Sequence, residues 1–211
     1  MVRLEDVLSD EAACPANCGT ATMVAATEAA GDVRGGCVAV LGAGLLGLTA
    51  CALARNRGAA DVVLCDVQSP RRARGEAFGA TRVAAPGELG AAVAGATQGH
   101  GADVVIDSAG APEAFESGLV LLRLGGTFVL VGAVFPMRPV ELQVERVVRR
   151  NLHLCGIHNY VPEHLVKAVA FLEQSKCPWR SLVADWLPLS ESTRAFQRAP
   201  EPTVLRIGVR P

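Results

Sequence analysis

Three closely spaced glycines at residues 42–47 restrict the folds open to this chain more than any other feature. The segment Gly42-Ala43-Gly44-Leu45-Leu46-Gly47 follows the apolar run Cys37–Gly42 and opens a segment with helical character, Leu45–Arg57. Gly42 permits a tight turn, Gly44 lets a phosphate approach the backbone, and Gly47 allows the helix to pack closely on the strand. Free N–H groups at the helix start then favour an anion. The segment predicts a strand, a diphosphate-binding turn and a helix.

An acidic residue about 20 positions beyond the turn strengthens this interpretation, because a Gly-rich turn alone is weakly specific. Asp66 ends the next apolar run, DVVLCD, where a carboxylate can accept hydrogen bonds from ribose hydroxyls. Two alternatives stay open: an ordinary solvated residue, or the acidic ribose contact of a methyltransferase cofactor. The six predicted strands disfavour a methyltransferase because nothing like a reversed final strand follows them.

Two arginines close behind Asp66 bear on which dinucleotide is bound. Arg71 and Arg72 could together bind a 2′-phosphate, but the carboxylate of Asp66 would repel it. The pattern therefore favours NAD over NADP. Arg72 fits a solvated residue at a helix start equally well.

Apolar strand-like runs alternate with helix-like segments from residue 37 to residue 157. This alternation predicts an α/β fold, a Rossmann-type doubly wound sheet of six parallel strands with helices on both faces. The predicted strands are Cys37–Gly42, Asp61–Asp66, Thr81–Ala84, Asp103–Ser108, Gly126–Gly132 and Leu152–Ile157. The predicted helices between them are Leu45–Arg57, Pro70–Phe78, Gly87–Ala96, Pro112–Leu122 and Glu141–Arg149.

Further segments flank this unit on both sides. Ser9–Ala30 is Ala-rich and predicts one helix that Gly31-Asp32 ends. We assign residues 1–180 to a dinucleotide-binding domain and 181–211 to a C-terminal appendage, because its strands cannot join the sheet by the same crossover rule. After residue 160 the predicted elements are helix Pro162–Gln174, strand Leu182–Leu187, helix Ser190–Ala199 and strand Val204–Val209.

Composition excludes several classes of function. Half of the residues are apolar, and the net charge of −1 provides no basic surface for nucleic acid. The uncharged stretch 35–54 is long enough for a membrane span, but its three glycines favour a strand, a turn and a helix instead. Seven cysteines without recurrent spacing predict free thiols, which places the protein in the cytoplasm.

Six stretches spread along essentially the whole chain resemble one known superfamily. They are PANCGTAT, VAVLGAGLLG, VVLCDVQSPRR, DVVIDSAG, LGGTFVLVGA and VLRIGVRP. Together they resemble the medium-chain dehydrogenase/reductase superfamily. The stretches ACPANCGTATMVAATEAAGD and GIHNYVPEHLVKAVAFLEQ are most similar to zinc-type alcohol dehydrogenases associated with phosphonate metabolism. The resemblance implies a hydride transfer between a nicotinamide cofactor and an alcohol or aldehyde.

The resemblance also implies cofactor contacts outside the glycine turn. Asp66 would bind the adenosine ribose with Arg71 beside it, and Arg206 would contact the diphosphate from the far side. Three pairs of residues complete the expected set. Ser108 and Ala109 would line the adenine side, Val131 and Ala133 would hold the nicotinamide carboxamide, and Ile157 and His158 are similarly placed.

Cys18 matches the cysteine that serves as a catalytic zinc ligand in this family. A thiolate at a helix start is favoured by the helix dipole, but catalytic zinc needs three protein ligands. Cys14 lies on the same face if the helix is continuous, yet such a pair is typically two buried thiols. The other candidates, His100, His153, His158 and His164, are scattered, and of these only His158 lies near the expected cleft. Cys18 is therefore one ligand of an incomplete zinc site.

The family's β-rich catalytic half, which carries the other zinc ligands, has no counterpart in these residues. We therefore expect NAD binding with little or no dehydrogenase activity from this chain alone. A non-catalytic dinucleotide-binding protein and a zinc-independent quinone or enoyl reductase remain alternatives. The resemblance implies that residues 181–211 belong to the catalytic domain in the family, so without the other half Trp179, Trp186 and Leu187 would expose an apolar surface. Either a partner, such as a separate catalytic domain, covers this surface, or the segment repacks. The resemblance also implies a homodimer, because cofactor domains of this family pair edge to edge through the strand that corresponds to Leu152–Ile157, which would otherwise be a bare apolar edge.

Overall fold

The sheet at the centre of the molecule has the predicted parallel, doubly wound topology. The computed structural model describes residues 8–201 and 203–211. Six strands lie in the order β3-β2-β1-β4-β5-β6, and every neighbouring pair is parallel. The order reverses between β1 and β4, which is where ligands bind in such sheets. The strands are β1 Cys37–Leu41, β2 Asp61–Cys65, β3 Arg82–Ala84, β4 Ala102–Asp107, β5 Leu122–Leu130 and β6 His153–Gly156.

Successive side chains of each strand enter two different cores. Val38 and Val40 face the core formed with the N-terminal and C-terminal helices, whereas Ala39 and Leu41 face the other one. Both faces are covered, so β1 is buried along its whole length. The alternation of small and branched apolar residues thus places the sheet between two helical layers.

Most helices occupy their predicted positions, with changes where glycine or proline intervenes. The predicted helix Pro70–Phe78 is two pieces, because the chain turns at Gly75 into a 3₁₀ turn, Glu76–Phe78. The predicted helix at 141–149 begins only at Val144. The α-helices of the sheet-covering layers are α3 Leu45–Asn56, α4 Ser69–Arg72, α5 Leu89–Thr97, α6 Pro112–Leu121, α7 Val144–Arg149 and α8 Pro162–Gln174.

The single helix predicted for Ser9–Ala30 is wrong. The segment forms α1 Asp10–Ala13, a π-helical turn Ala16–Thr20 and α2 Ala21–Ala29. Pro15 causes the break, because its ring carries no N–H and clashes with the preceding turn of a helix. Cys14 and Cys18 consequently do not lie on one continuous helical face.

The C-terminal residues form a second, two-stranded sheet apart from the main one. Strands β7 Val183–Pro188 and β8 Arg206–Arg210 pair in parallel outside the main sheet, with α9 Ser192–Arg198 between them. Of the two alternatives for the apolar surface around the tryptophans, the structure shows the repacked segment, because Trp179 is buried against Phe78 and Phe171. Leu187 is buried as well, and the guanidinium of Arg210 covers the half-buried ring of Trp186. Within the described residues, no helix is long and apolar enough to span a membrane.

Candidate functional site

The glycine turn joins β1 to α3 with the geometry that its three glycines suggest. Gly42 has φ +97°, a left-handed conformation that favours glycine, and its N–H donates to the carbonyl of Cys65 at 2.7 Å. A Cβ added at Gly47 would lie 1.7 Å from the carbonyl oxygen of Gly42, so only glycine lets the helix lie this close. A Cβ at Gly44 would meet no atom within 4 Å. The space in front of Gly44 is thus open at the start of α3.

The carboxylate of Asp66 is fixed beside this turn by two backbone N–H groups. Its Oδ2 accepts from the N–H of Ala43 at 2.6 Å, and its Oδ1 accepts from the N–H of Gln68 at 2.7 Å. Each oxygen keeps a further lone pair for a hydroxyl donor. Arg72 donates through Nη1 to the carbonyl of Asp66 at 2.7 Å, which commits Arg72 to the backbone. Arg71 is half-buried one residue earlier in α4.

A second loop, residues 108–110, closes over the glycine turn from β4. Ser108 donates through Oγ to the carbonyls of Leu41 and Gly42 at 2.9 and 3.2 Å. Its hydroxyl therefore braces the turn. Oδ1 of the buried Asp107 accepts from the N–H groups of Ala109 and Gly110 at 2.9 and 3.0 Å.

Asp107 is a site residue that the sequence reasoning missed. Burial raises the pKa of its carboxyl above the ordinary value, and the two N–H donors oppose this increase. Like Asp66, it is an acidic residue that ends an apolar strand, and this signal could have identified it. Its role is to shape the 108–110 loop.

The residues expected to hold the nicotinamide lie where β5 and β6 end. Val131 is buried directly after β5, whereas Ala133 and His158 are exposed. Ile157 continues β6, and its N–H donates to the carbonyl of Leu130 at 2.9 Å. These residues share the carboxyl edge of the sheet with the glycine turn and Asp66.

The π-helical turn brings three distant segments to the start of α3. A Cβ at Gly19 would lie 2.9 Å from Cδ2 of Leu45 and 3.6 Å from Nη2 of Arg206. The hydroxyl of Tyr160 donates to Oδ1 of Asn17 on the same turn. Cys18 is exposed between these contacts. The expected sites of diphosphate, nicotinamide and Cys18 are therefore contiguous.

Known proteins show which family has this arrangement. A family model described as zinc-binding dehydrogenase matches residues 46–174, which is more than half of the chain. The chain belongs to the zinc-binding dehydrogenase family. The match begins within the glycine turn and ends with α8, so it covers the sheet and the helices that flank it.

Curated relatives of this chain include D-xylulose reductases. A putative D-xylulose reductase of Rhizobium meliloti is 32% identical over 193 residues, which are 88% of this chain and 54% of the relative. A probable D-xylulose reductase A of Aspergillus clavatus is 31% identical over 178 residues, which are 81% of this chain and 49% of the relative. The chain spans about half the length of the curated relatives it matches.

Solved structures reproduce the fold over the whole chain. An alcohol dehydrogenase from Thermotoga maritima superposes with a TM-score of 0.94 at 27% identity, covering 100% of this chain and 60% of that one. A putative zinc-binding dehydrogenase from Sinorhizobium meliloti, bound to NADP, superposes with a TM-score of 0.90 at 25% identity, covering 100% and 62%. The sheet topology and the family thus agree with the resemblance of the sequence stretches.

The donor groups for a complete zinc site are not brought together in the part of the chain that the structure describes. No three His, Cys, Asp or Glu side chains converge as a metal site within residues 8–201 and 203–211. Cys18 is exposed on the π turn, and His158 is exposed after β6. These residues alone do not fit a catalytic zinc, which needs three protein ligands.

Proposed function

We propose that this chain binds NAD(H) as the cofactor domain of a zinc-type alcohol or polyol dehydrogenase. The observation that supports the proposal best is the open space in front of Gly44, at the start of α3 and beside an anchored carboxylate. A diphosphate in this space would meet the free N–H groups of the helix start. The ribose next to it would donate to Asp66.

The residues around this space have separate tasks in the proposed complex. Arg206 would add a positive charge beside the diphosphate, since its guanidinium lies next to Gly19 and Leu45. The 108–110 loop, shaped by Asp107, would line the adenosine, and the ends of β5 and β6 would receive the nicotinamide. The bound nicotinamide would supply the hydride acceptor or donor, and this chain would hold and orient it.

The fixed charge of Asp66 supports a preference for NAD over NADP. Both carboxylate oxygens are held by backbone N–H groups, so the carboxylate cannot easily turn away from a 2′-phosphate. Arg72 donates to backbone carbonyls and is not poised to neutralise that phosphate. The similar structure of a putative zinc-binding dehydrogenase from Sinorhizobium meliloti is bound to NADP, and this similarity argues for NADP instead.

The test uses a substitution that the free protein tolerates and the complex does not. Gly44 has φ −77° and ψ −172°, which any residue adopts, and Gly44→Ala adds a Cβ in open space. We expect an unchanged melting temperature and at least about tenfold weaker NADH binding in calorimetric titration, since the methyl occupies the position of the phosphate. Gly90→Ala, on the exposed face of α5, is the matched control and should leave binding unchanged. Equal NADH affinity in both variants would contradict the proposal.

Catalysis requires more than the described residues offer, and we propose that this chain alone has little or no dehydrogenase activity. The support is that, among the described residues, no three His, Cys, Asp or Glu side chains converge at Cys18 or elsewhere as a metal site. A catalytic half of the family type would add the remaining zinc ligands around that thiol. Zinc-dependent alcohol oxidation by the purified chain of 211 residues would contradict this part of the proposal.

Two classes of substrate are supported by different observations. The stretches around Cys18 and Tyr160 resemble dehydrogenases of phosphonate metabolism, which favours an alcohol or aldehyde that bears a phosphonate. The xylulose reductase relatives favour a polyol. We propose the phosphonate-bearing alcohol first, and parallel assays of both classes with the complete enzyme distinguish them.

The proposed assembly is a homodimer in the cytoplasm. Strand β6 pairs only with β5 among the described strands, so its other edge is unpaired. All seven cysteines are free thiols, which agrees with a reducing compartment.

A further inference from the structure

Arg74 makes a hydrogen bond that connects two parts of the candidate site across a long sequence separation. It follows α4, the short helix behind Asp66, and its Nη2 donates to the carbonyl oxygen of Thr203 at 2.9 Å. Thr203 belongs to the C-terminal unit. The bond therefore ties the ribose side of the site to the residues that precede β8.

Residues 203–206, which we term the strap, lead from this bond to the glycine turn. Val204 is buried, and Leu205 packs on the core that contains α2, α3 and α8. Arg206 ends the strap. A Cβ added at Gly19 would lie 3.6 Å from Nη2 of Arg206 and 2.9 Å from Cδ2 of Leu45, so both side chains lie against Gly19. The strap thus runs from the segment behind Asp66 to the start of α3.

Two ion pairs hold other parts of the C-terminal unit together, whereas the strap is held by the buried Val204, by the pairing of Arg206 with Val183 of β7, and by the bond from Arg74. Arg198 binds Asp185 at 2.6 Å and thereby joins α9 to β7. Arg210 binds Glu11 at 3.2 Å at the far end of β8. Neither contact reaches the loop behind Asp66, whereas Arg74 does.

We infer that Arg74 is a positioning residue that holds Arg206 in place for the diphosphate. The inference rests on the proposed function, in which Arg206 faces that group. Arg74 would act on the site through this hydrogen bond from its Nη2 to Thr203. By fixing the strap before the ligand arrives, it lowers the conformational entropy that binding would otherwise cost.

The experiment is a double-mutant cycle read by NADH titration of the whole chain. We expect Arg74→Ala to weaken NADH binding by about threefold to tenfold, the net effect of one ordinary hydrogen bond at an exposed position. Arg206→Ala should weaken it as well. In the Arg206→Ala background, Arg74→Ala should change the affinity by less than about twofold, because the two residues act as one unit.

Two further variants separate positioning from a general loss of structure. Arg194→Ala removes another exposed arginine of the C-terminal unit, one that binds Glu191 at 2.8 Å, and should leave NADH affinity unchanged. Arg74→Lys keeps a donor and should recover part of the lost affinity. Melting temperatures of all these variants should agree with that of the unsubstituted chain.

The outcomes distinguish this inference from the proposed function. If the unsubstituted chain binds NADH but Arg74→Ala has no effect, or has the same effect with and without Arg206, the inference is wrong and the proposed function stands. An unaffected Arg206→Ala variant also overturns the inference. Absence of NADH binding by the unsubstituted chain overturns both.

Discussion

At the scale of single residues, the structure assigns different tasks to similar side chains. Asp66 and Asp107 both end apolar strands, but Asp66 is half-buried and faces the open site, whereas Asp107 is buried in its own loop. Arg71 and Arg72 are neighbours in the sequence, yet Arg72 is committed to backbone carbonyls. The sequence predicted a carboxylate beside the glycine turn, and Asp66 lies there, but partners contributed by other segments decide how each acidic residue is held.

A change of charge at Asp66 tests the preference between the two dinucleotides. Asp66→Asn removes the negative charge that faces a 2′-phosphate, so the ratio of NADH to NADPH affinity should fall by about tenfold. Calorimetric titration with both ligands measures the ratio. Asp61→Asn, at the opposite end of the same strand and 3.8 Å from Arg82, is the control and should not change it. An unaltered ratio in Asp66→Asn would show that this carboxylate does not select the cofactor.

At the scale of elements, local signals predicted the strands better than the helices. Runs of apolar residues placed the central strands β1, β2 and β4, because both of their faces are buried and the sequence pattern is continuous. The edge strands β3 and β6 are partly exposed and are short. Helix continuity was harder to predict. The Ala-rich composition of residues 9–30 favoured one helix, although Pro15 interrupts it. Strand β5 is longer than predicted, Leu122–Leu130, and its pairing with β4 shifts register at its start.

The close approach of α3 to β1 provides a prediction about stability. Gly47→Ala places a Cβ 1.7 Å from a backbone oxygen, so the helix must move away from the turn. We expect a loss of about 1–3 kcal/mol in the free energy of unfolding, the usual range for overpacking. Urea denaturation measures it, with Gly44→Ala as the neighbour that should lose little. If both variants are equally stable, the helix and the turn are less tightly packed than described.

At the scale of the whole molecule, both edge strands of the six-stranded sheet, β3 and β6, have one unpaired side among the described strands, and the β6 side is the one proposed to pair with a second copy. Strand β6 ends the sheet, and the helix that leads into it, α7, exposes Val144 and Val148 at 63% and 69%. The nearby loop exposes Phe135 at 81%. Exposed apolar side chains beside a bare strand edge favour burial against a second copy.

The dimer proposal predicts a mass of two chains in light scattering at micromolar concentration. Val148→Lys adds a charge beside the β6 edge and should shift the population toward monomers. Phe196→Lys introduces the same charge on α9, where Phe196 is 80% exposed, and should leave the mass unchanged. A monomeric unsubstituted chain would count against pairing through β6.

The sequence by itself determined the sheet, the position of the glycine turn and the acidic residue beside it, because these depend on short patterns of size, polarity and backbone freedom. Only the tertiary structure decided that Asp107 shapes the neighbouring loop, that Trp179 and Leu187 are buried, and that Arg74 binds the strap at Thr203. Each of these depends on contacts between segments far apart in the chain. Such contacts follow from how the helices pack on the sheet, which local patterns do not encode.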